Sequence, residues 1–136
     1  MRVLGLDVGV KRIGVALSDE TGMVASPLTV YERKGMQADA QQIVQMASQN
    51  ECVAIVFGLP LELNGKEGLR ARRVLLLRDA VAALFGGELP LVDERFTTKE
   101  AERALIGADV RRDKRKQVVD KVAAALILQS YLESQS

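Results

Sequence analysis

The chain has 136 residues, 48% of them hydrophobic and 27% charged, with a formal net charge of +1 and no histidine. That size and composition predict one globular domain around one hydrophobic core, and no apolar run approaches the length of a membrane span. With no histidine and Cys52 as the single cysteine, a tetrahedral zinc site, Ser-His-Asp or Cys-His catalysis and an internal disulfide are excluded. The hard ligands that remain are Asp and Glu, which suit Mg²⁺ or Mn²⁺, so an enzyme built on this chain is expected to be a carboxylate–metal enzyme.

Met1-Arg2-Val3-Leu4 enters the first apolar segment directly, without a signal-peptide layout, which predicts a cytoplasmic protein. Residues 2–8, 12–19 and 23–31 read as three strands, with Asp19-Glu20-Thr21-Gly22 as the turn between the second and third. A helix is predicted over 36–49, with Ile43, Val44 and Ala47 on one side. Residues 52–58 form a near-continuous apolar run, as in a parallel strand covered on both faces, and Cys52 reads there as a small buried hydrophobe. After Gly58-Leu59-Pro60 and a loop at Asn64-Gly65-Lys66-Glu67-Gly68, a helix over 69–85 closes at Gly86-Gly87. Pro90-Leu91-Val92 is a short strand ending at Asp93-Glu94-Arg95. Thr97-Thr98-Lys99-Glu100 is a capping box opening a helix that ends at Gly107. A basic loop follows, then a last helix over about 117–133. Three meander strands followed by helix, strand, helix, strand and helix make an α/β domain.

Three acids stand out. Asp7 ends an apolar strand, where a carboxylate is costly unless a cation or hydrogen-bond donors compensate it. Its alternative role is an Asx-type cap of the hairpin beside Gly9. Asp93-Glu94 lies at the carboxyl end of a parallel strand, where open α/β sheets place their ligands. Side chains alternate along a strand, so one of the two faces the side of Asp7, and alternation alone permits either. Asp120 shares a helix face with Ala123, Ala124 and Ile127, the face expected to dock on the sheet. The helix dipole explains an acid in a first turn but not one on a packing face.

Cations are unevenly spread. Arg111-Arg112-Asp113-Lys114-Arg115-Lys116 is a dense block, expected to be a mobile loop that grips a substrate backbone. Lys66, Arg70, Arg72, Arg73 and Arg78 form a looser group that reads equally well as a solvated helix face. Aromatic residues are only 4% of the chain, which argues against a stacking platform for single strands.

Taken together, these residues resemble the YqgF (RuvX) family. The resemblance runs through Gly5-Leu6-Asp7-Val8-Gly9-Val10-Lys11-Arg12-Ile13-Gly14-Val15-Ala16 with Ser18-Asp19, and Gly58-Leu59-Pro60-Leu61 with Asn64-Gly65. It continues in Asp93-Glu94-Arg95-Phe96-Thr97-Thr98 with Ala101, and in Val119-Asp120-Lys121-Val122-Ala123-Ala124 with Ile127-Leu128-Gln129-Ser130-Tyr131-Leu132. It covers nearly the whole chain. It implies a ribonuclease-H-like fold: a mixed five-stranded sheet of three antiparallel meander strands and two parallel strands, flanked by helices. It also implies that Asp7, Glu94 and Asp120 are the catalytic and metal-binding acids. Some members carry Asp where this chain has Asn64, so that loop is not counted among the ligands. The family is described both as Holliday junction resolvases and as nucleases maturing the 5′ end of precursor 16S rRNA.

Three carboxylates at one point repel one another, and Mg²⁺ or Mn²⁺ removes that conflict. Two ions about 4 Å apart would activate water and stabilise the leaving oxygen at phosphorus. Lys11, Arg12, Arg95, Arg111, Arg112, Lys114, Arg115 and Lys116 are the expected contacts to nucleic acid, either precursor rRNA or branched DNA, by a monomer or weak homodimer. Two other classes compete. An actin-like ATPase half also opens with an Asp-x-Gly hairpin, but needs a second such domain and this chain has no second hairpin. A nuclease-fold protein that only binds RNA would not need all three acids.

Overall fold

The computed structural model describes residues 1–62, 64–94 and 112–135, and gives the backbone alone for residues 112–119. The elements are β1 (Arg2–Val8), β2 (Arg12–Ser18), β3 (Ala25–Glu32), α1 (Met36–Gln49), β4 (Cys52–Leu59), α2 (Leu69–Ala82), β5 (Leu91–Asp93) and α3 (Arg112–Ser134). They build a five-stranded sheet in the order β3-β2-β1-β4-β5. The β1–β2 and β2–β3 pairs are antiparallel, and the β1–β4 and β4–β5 pairs are parallel. This is the expected mixed sheet.

Period-two alternation sorts the side chains onto two faces. Leu4, Leu6 and Val8 of β1 join Ile13, Val15, Ile55 and Phe57 in a core under α1 and α2. Val3, Ala16, Ala54 and Val56 face the other way, against Ala124, Ile127 and Leu128 of α3. Asp7 is two residues on from Gly5, whose missing Cβ would lie 2.6 Å from Leu128 Cβ, so Asp7 belongs to the α3 face. The same close approach recurs at Gly14, where a Cβ would meet the Asp120 carbonyl oxygen at 1.9 Å. Gly14 is the register partner of Asp7. A side chain at position 14 would therefore lift off α3 where it carries Asp120.

Three boundaries differ by two residues or more from those predicted. The third strand begins at Ala25, not at residue 23. The Asp19 carboxylate accepts the Met23 and Val24 N–H groups at 2.9 and 3.1 Å and the Thr21 hydroxyl, taking those residues into the turn. These bonds, the Thr21 hydroxyl first, lower the Asp19 pKa to about 2. α2 ends at Ala82 and unwinds through a turn in which Leu84 and Phe85 donate to the Val81 carbonyl. The last helix already includes Arg112, well before 117, so Arg112, Lys114, Arg115 and Lys116 lie in helix and not in a loop. Arginine and lysine are good helix formers, so a dense basic block does not by itself make a loop. The capping box at Thr97, the helix expected to follow it, Arg95 and Arg111 lie outside the described residues.

Cys52 is half-buried, and burial pushes its thiol up to about 11, leaving it protonated and inert at neutral pH.

Candidate active site

The turn between β1 and β2 is closed by its own backbone, the Gly9 N–H donating to the Arg12 carbonyl at 2.8 Å. It is clamped from outside. Arg33 donates from one terminal nitrogen to the Gly9 carbonyl at 3.0 Å, and its Nε donates to Asp39 at 2.9 Å. Asp39 is fully buried, yet its pKa is lowered. Burial pushes it up, but the Lys34 N–H, Arg33 and Tyr31 together outweigh that. With the turn held this way, Asp7 faces Glu94 and does not serve as a cap.

Glu94 reaches the same place from β5. Val92 packs in the α3-side core opposite Gly58, and alternation puts Glu94 on that face and the exposed Asp93 on the other. The Glu94 N–H extends the ladder by donating to the Leu59 carbonyl at 3.2 Å. Its side chain is 6% exposed and fits because residue 58 is glycine, where a Cβ would meet Glu94 Oε2 at 2.6 Å. The carboxyl groups of Asp7 and Glu94 hydrogen-bond each other, which requires a shared proton. Burial and then the Asp7 charge push Glu94 up to about 9. Asp7 is raised as well, chiefly by burial, with Asp120 adding repulsion and Glu94 and Arg70 opposing. Glu94 Oε2 is buried with no hydrogen-bond partner.

Asp120 is close enough to act on Asp7 through its charge but has a different partner. Its Oδ2 accepts Arg12 Nε at 3.0 Å in a partly exposed ion pair. Burial raises its pKa and Arg12 opposes the rise. The expectation of three acids converging on one point is thus met by two. Among the described residues, no three Asp, Glu or Cys side chains stand as a ready-made metal cage. The donor set nonetheless fits a hard divalent cation. It offers two paired carboxylates, one orphaned buried oxygen and a third carboxylate that would have only to exchange Arg12 for an ion.

Sequence reasoning misses two features. Arg70 reads from the sequence as part of a group that is either a phosphate contact or a solvated helix face, but it is the cation that acts on both Asp7 and Glu94. A signal is present: α2 opens Leu69-Arg70-Ala71-Arg72-Arg73 with no acid in its first turn. The glycines at 14 and 58 are motif positions whose purpose, clearance for Asp120 and Glu94, emerges only when helix and strand are placed on the sheet.

A mixed sheet with acids at the ends of its first and last strands and on a helix crossing it is the ribonuclease-H-like arrangement. Solved structures share it. RuvC from T. thermophilus in complex with Holliday junction substrate matches with a TM-score of 0.62 at 17% identity, covering 99% of this chain and 95% of that one. The Fowlpox virus resolvase in complex with Holliday junction DNA matches with a TM-score of 0.60 at 13% identity, covering 99% of both chains.

Within that fold class, the chain belongs to the RuvX family, described as Holliday junction resolvase, whose model matches residues 1–134. A Thermoanaerobacter pseudethanolicus protein named "Putative pre-16S rRNA nuclease" is 46% identical over 136 residues, covering 99% of this chain and 98% of the relative. Proteins of the same name from Myxococcus xanthus and Clostridium botulinum are 42% and 43% identical, covering 98% and 100% of this chain and 89% and 99% of the relatives.

Proposed function

We propose that this chain is a divalent-metal-dependent nuclease that hydrolyses phosphodiester bonds at the 5′ end of precursor 16S rRNA in the cytoplasm. The observation that carries this reading is the buried Asp7–Glu94 pair with Asp120 beside it, on a chain 46% identical to a relative named for that substrate. Asp7, Glu94 and Asp120 would hold Mg²⁺ or Mn²⁺, which would supply charge neutralisation and an activated water for in-line displacement at phosphorus. Glu94 would surrender its shared proton on loading, and its orphaned oxygen would gain a partner. Arg12 holds Asp120 until then and, once released, has a free guanidinium beside the reacting strand. Lys11 lies in the adjoining turn, and with Arg12 it would hold backbone phosphates, as would Arg112, Lys114, Arg115 and Lys116 along α3.

A second reading is favoured by the family description and the resolvase fold: cleavage of four-way DNA junctions. A resolvase needs two symmetric active sites and hence a dimer on its substrate, whereas trimming an rRNA end does not. The decisive comparison sets precursor 16S rRNA beside junction DNA, with Mg²⁺ or Mn²⁺, for the wild type and Asp7→Asn. Cleavage of the rRNA at its 5′ end by the wild type alone is expected. Junction cleavage without rRNA cleavage would select the second reading.

A further inference from the structure

On the α1–α2 side of the β1–β2 turn lies an open cleft of about 470 Å³ whose lining includes Val10, Arg33, Asp39 and Arg73. Val10, Arg33 and Arg73 continue into a narrower recess with Gly9 and Arg70. Three guanidinium-bearing residues thus share one notch. Their charges are treated very differently. Arg33 is neutralised by Asp39 and fixed on the Gly9 carbonyl, with its side chain only 15% exposed. Arg70 and Arg73 are exposed, and among the described residues neither has an ion-pair partner. Glu62 lies against the helix-capping Gly68 but pairs with neither arginine.

This arrangement is unfavourable by itself. Residues three apart on a helix are neighbours, and like charges there repel. Arg70 also sits in the first turn of α2, at the positive end of its dipole, with no acid there to offset it. An anion from outside the chain would relieve both costs at once, and guanidinium groups suit phosphate oxygens in particular. The recess is lined by Val8 and Gly9, which directly follow Asp7, and Arg70 acts electrostatically on both acids, so the notch adjoins the site.

We infer that Arg70 and Arg73, backed by the Asp39-anchored Arg33, form a subsite for a phosphate of the nucleic-acid strand, flanking the one that is cut. The inference rests on the nuclease reading and adds to it the path of the strand, across the β1–β2 turn toward α2. The phosphate is either an internal diester or a terminal monophosphate, both of which present the same oxygens to the notch.

The test measures binding of a fluorescein-labelled single-stranded RNA in Mg²⁺, as the 5′-phosphorylated and the 5′-hydroxyl form, across a range of salt. The full chain carries Asp7→Asn to prevent cleavage. Arg70→Gln/Arg73→Gln is compared with this parent and with Arg72→Gln, an exposed neighbour outside the notch. Glutamine is as good a helix former as arginine, and a thermal melt confirms that the fold is intact. The double change is expected to weaken binding about tenfold and to make the salt slope shallower by about 0.7, the single-strand value for one phosphate, with Arg72→Gln close to the parent. A loss for both RNA forms assigns the internal diester, and a loss for the 5′-phosphorylated form alone assigns the terminal phosphate. An unchanged slope in the double variant, or an equal loss in Arg72→Gln, would overturn the subsite while leaving the nuclease reading intact. A parent that binds no RNA would overturn both.

Discussion

Glu94 and Asp93 are neighbours of the same chemistry with opposite surroundings. Glu94 is buried against Gly58 and shares a proton with Asp7, while Asp93 is exposed on the other side of the strand. Replacing Asp7, Glu94 or Asp120 by its amide should each abolish cleavage, whereas Asp93→Asn should retain it. None of the three should unfold the chain. Asp7 and Glu94 are held toward their neutral forms, which the amide imitates, and the Asp120–Arg12 pair is partly exposed and worth at most about 1 kcal/mol. Assays run beside thermal melts check this, and full activity in any one of the three amides would remove that residue from the site.

The proton on Glu94 also sets a pH dependence. Its ordinary value is 4.5 and the fold holds it at about 9, so the folded chain keeps a proton that the unfolded chain releases. The stability tied to that proton is complete below about 4.5 and is lost as pH rises toward about 9. Asp7, also raised, acts in the same direction. In chelator, the melting temperature should fall across this window, and Glu94→Gln should flatten the fall. Parallel curves for the two proteins would contradict the assignment.

Among the elements, the strands and helices of the described residues follow the hydrophobic alternation closely, and the misplaced boundaries are those where side chains outbid the pattern. Met23 and Val24 read as strand because they are apolar, yet one carboxylate, Asp19, binds both of their N–H groups. Charge crowding at 112–116 reads as a loop, yet the helix runs through it. Asp120 is recognisable in the sequence as an acid on a packing face, but its pairing with Arg12 is not. That ion pair joins residues 108 apart and depends on how closely α3 approaches β2. The approach is set by Gly14. Gly14→Ala would place a methyl 1.9 Å from the Asp120 carbonyl oxygen, so the helix must shift. We expect a loss of about 2 kcal/mol or more by chemical denaturation, together with loss of cleavage. Gly86→Ala, with open space around it, should be neutral in both measurements.

For the whole molecule, a net charge of +1 conceals a division of labour. Buried acids occupy the centre of the site, with Lys11 in the adjoining turn, Arg12 at the start of β2 and a basic stretch within α3. The Lys114→Ala/Arg115→Ala/Lys116→Ala variant should bind nucleic acid more weakly. Its salt slope should fall by roughly one unit for each phosphate that the variant no longer neutralises, with little change in turnover at saturating substrate. Equal affinity and slope would restrict the binding surface to the turn and α2.

The acid pair is tested most directly by calorimetric titration of Mn²⁺ into the wild type and Glu94→Gln at pH 7, in two buffers of different ionisation enthalpy. A carboxyl pair that shares a proton at this pH must release it to take up a cation. Binding by the wild type should therefore release about one proton per chain, while Glu94→Gln should bind more weakly and release none. Mn²⁺ uptake that releases no proton and is equally tight in Glu94→Gln would show that the ion binds elsewhere and that the Asp7–Glu94 pair is not the metal centre.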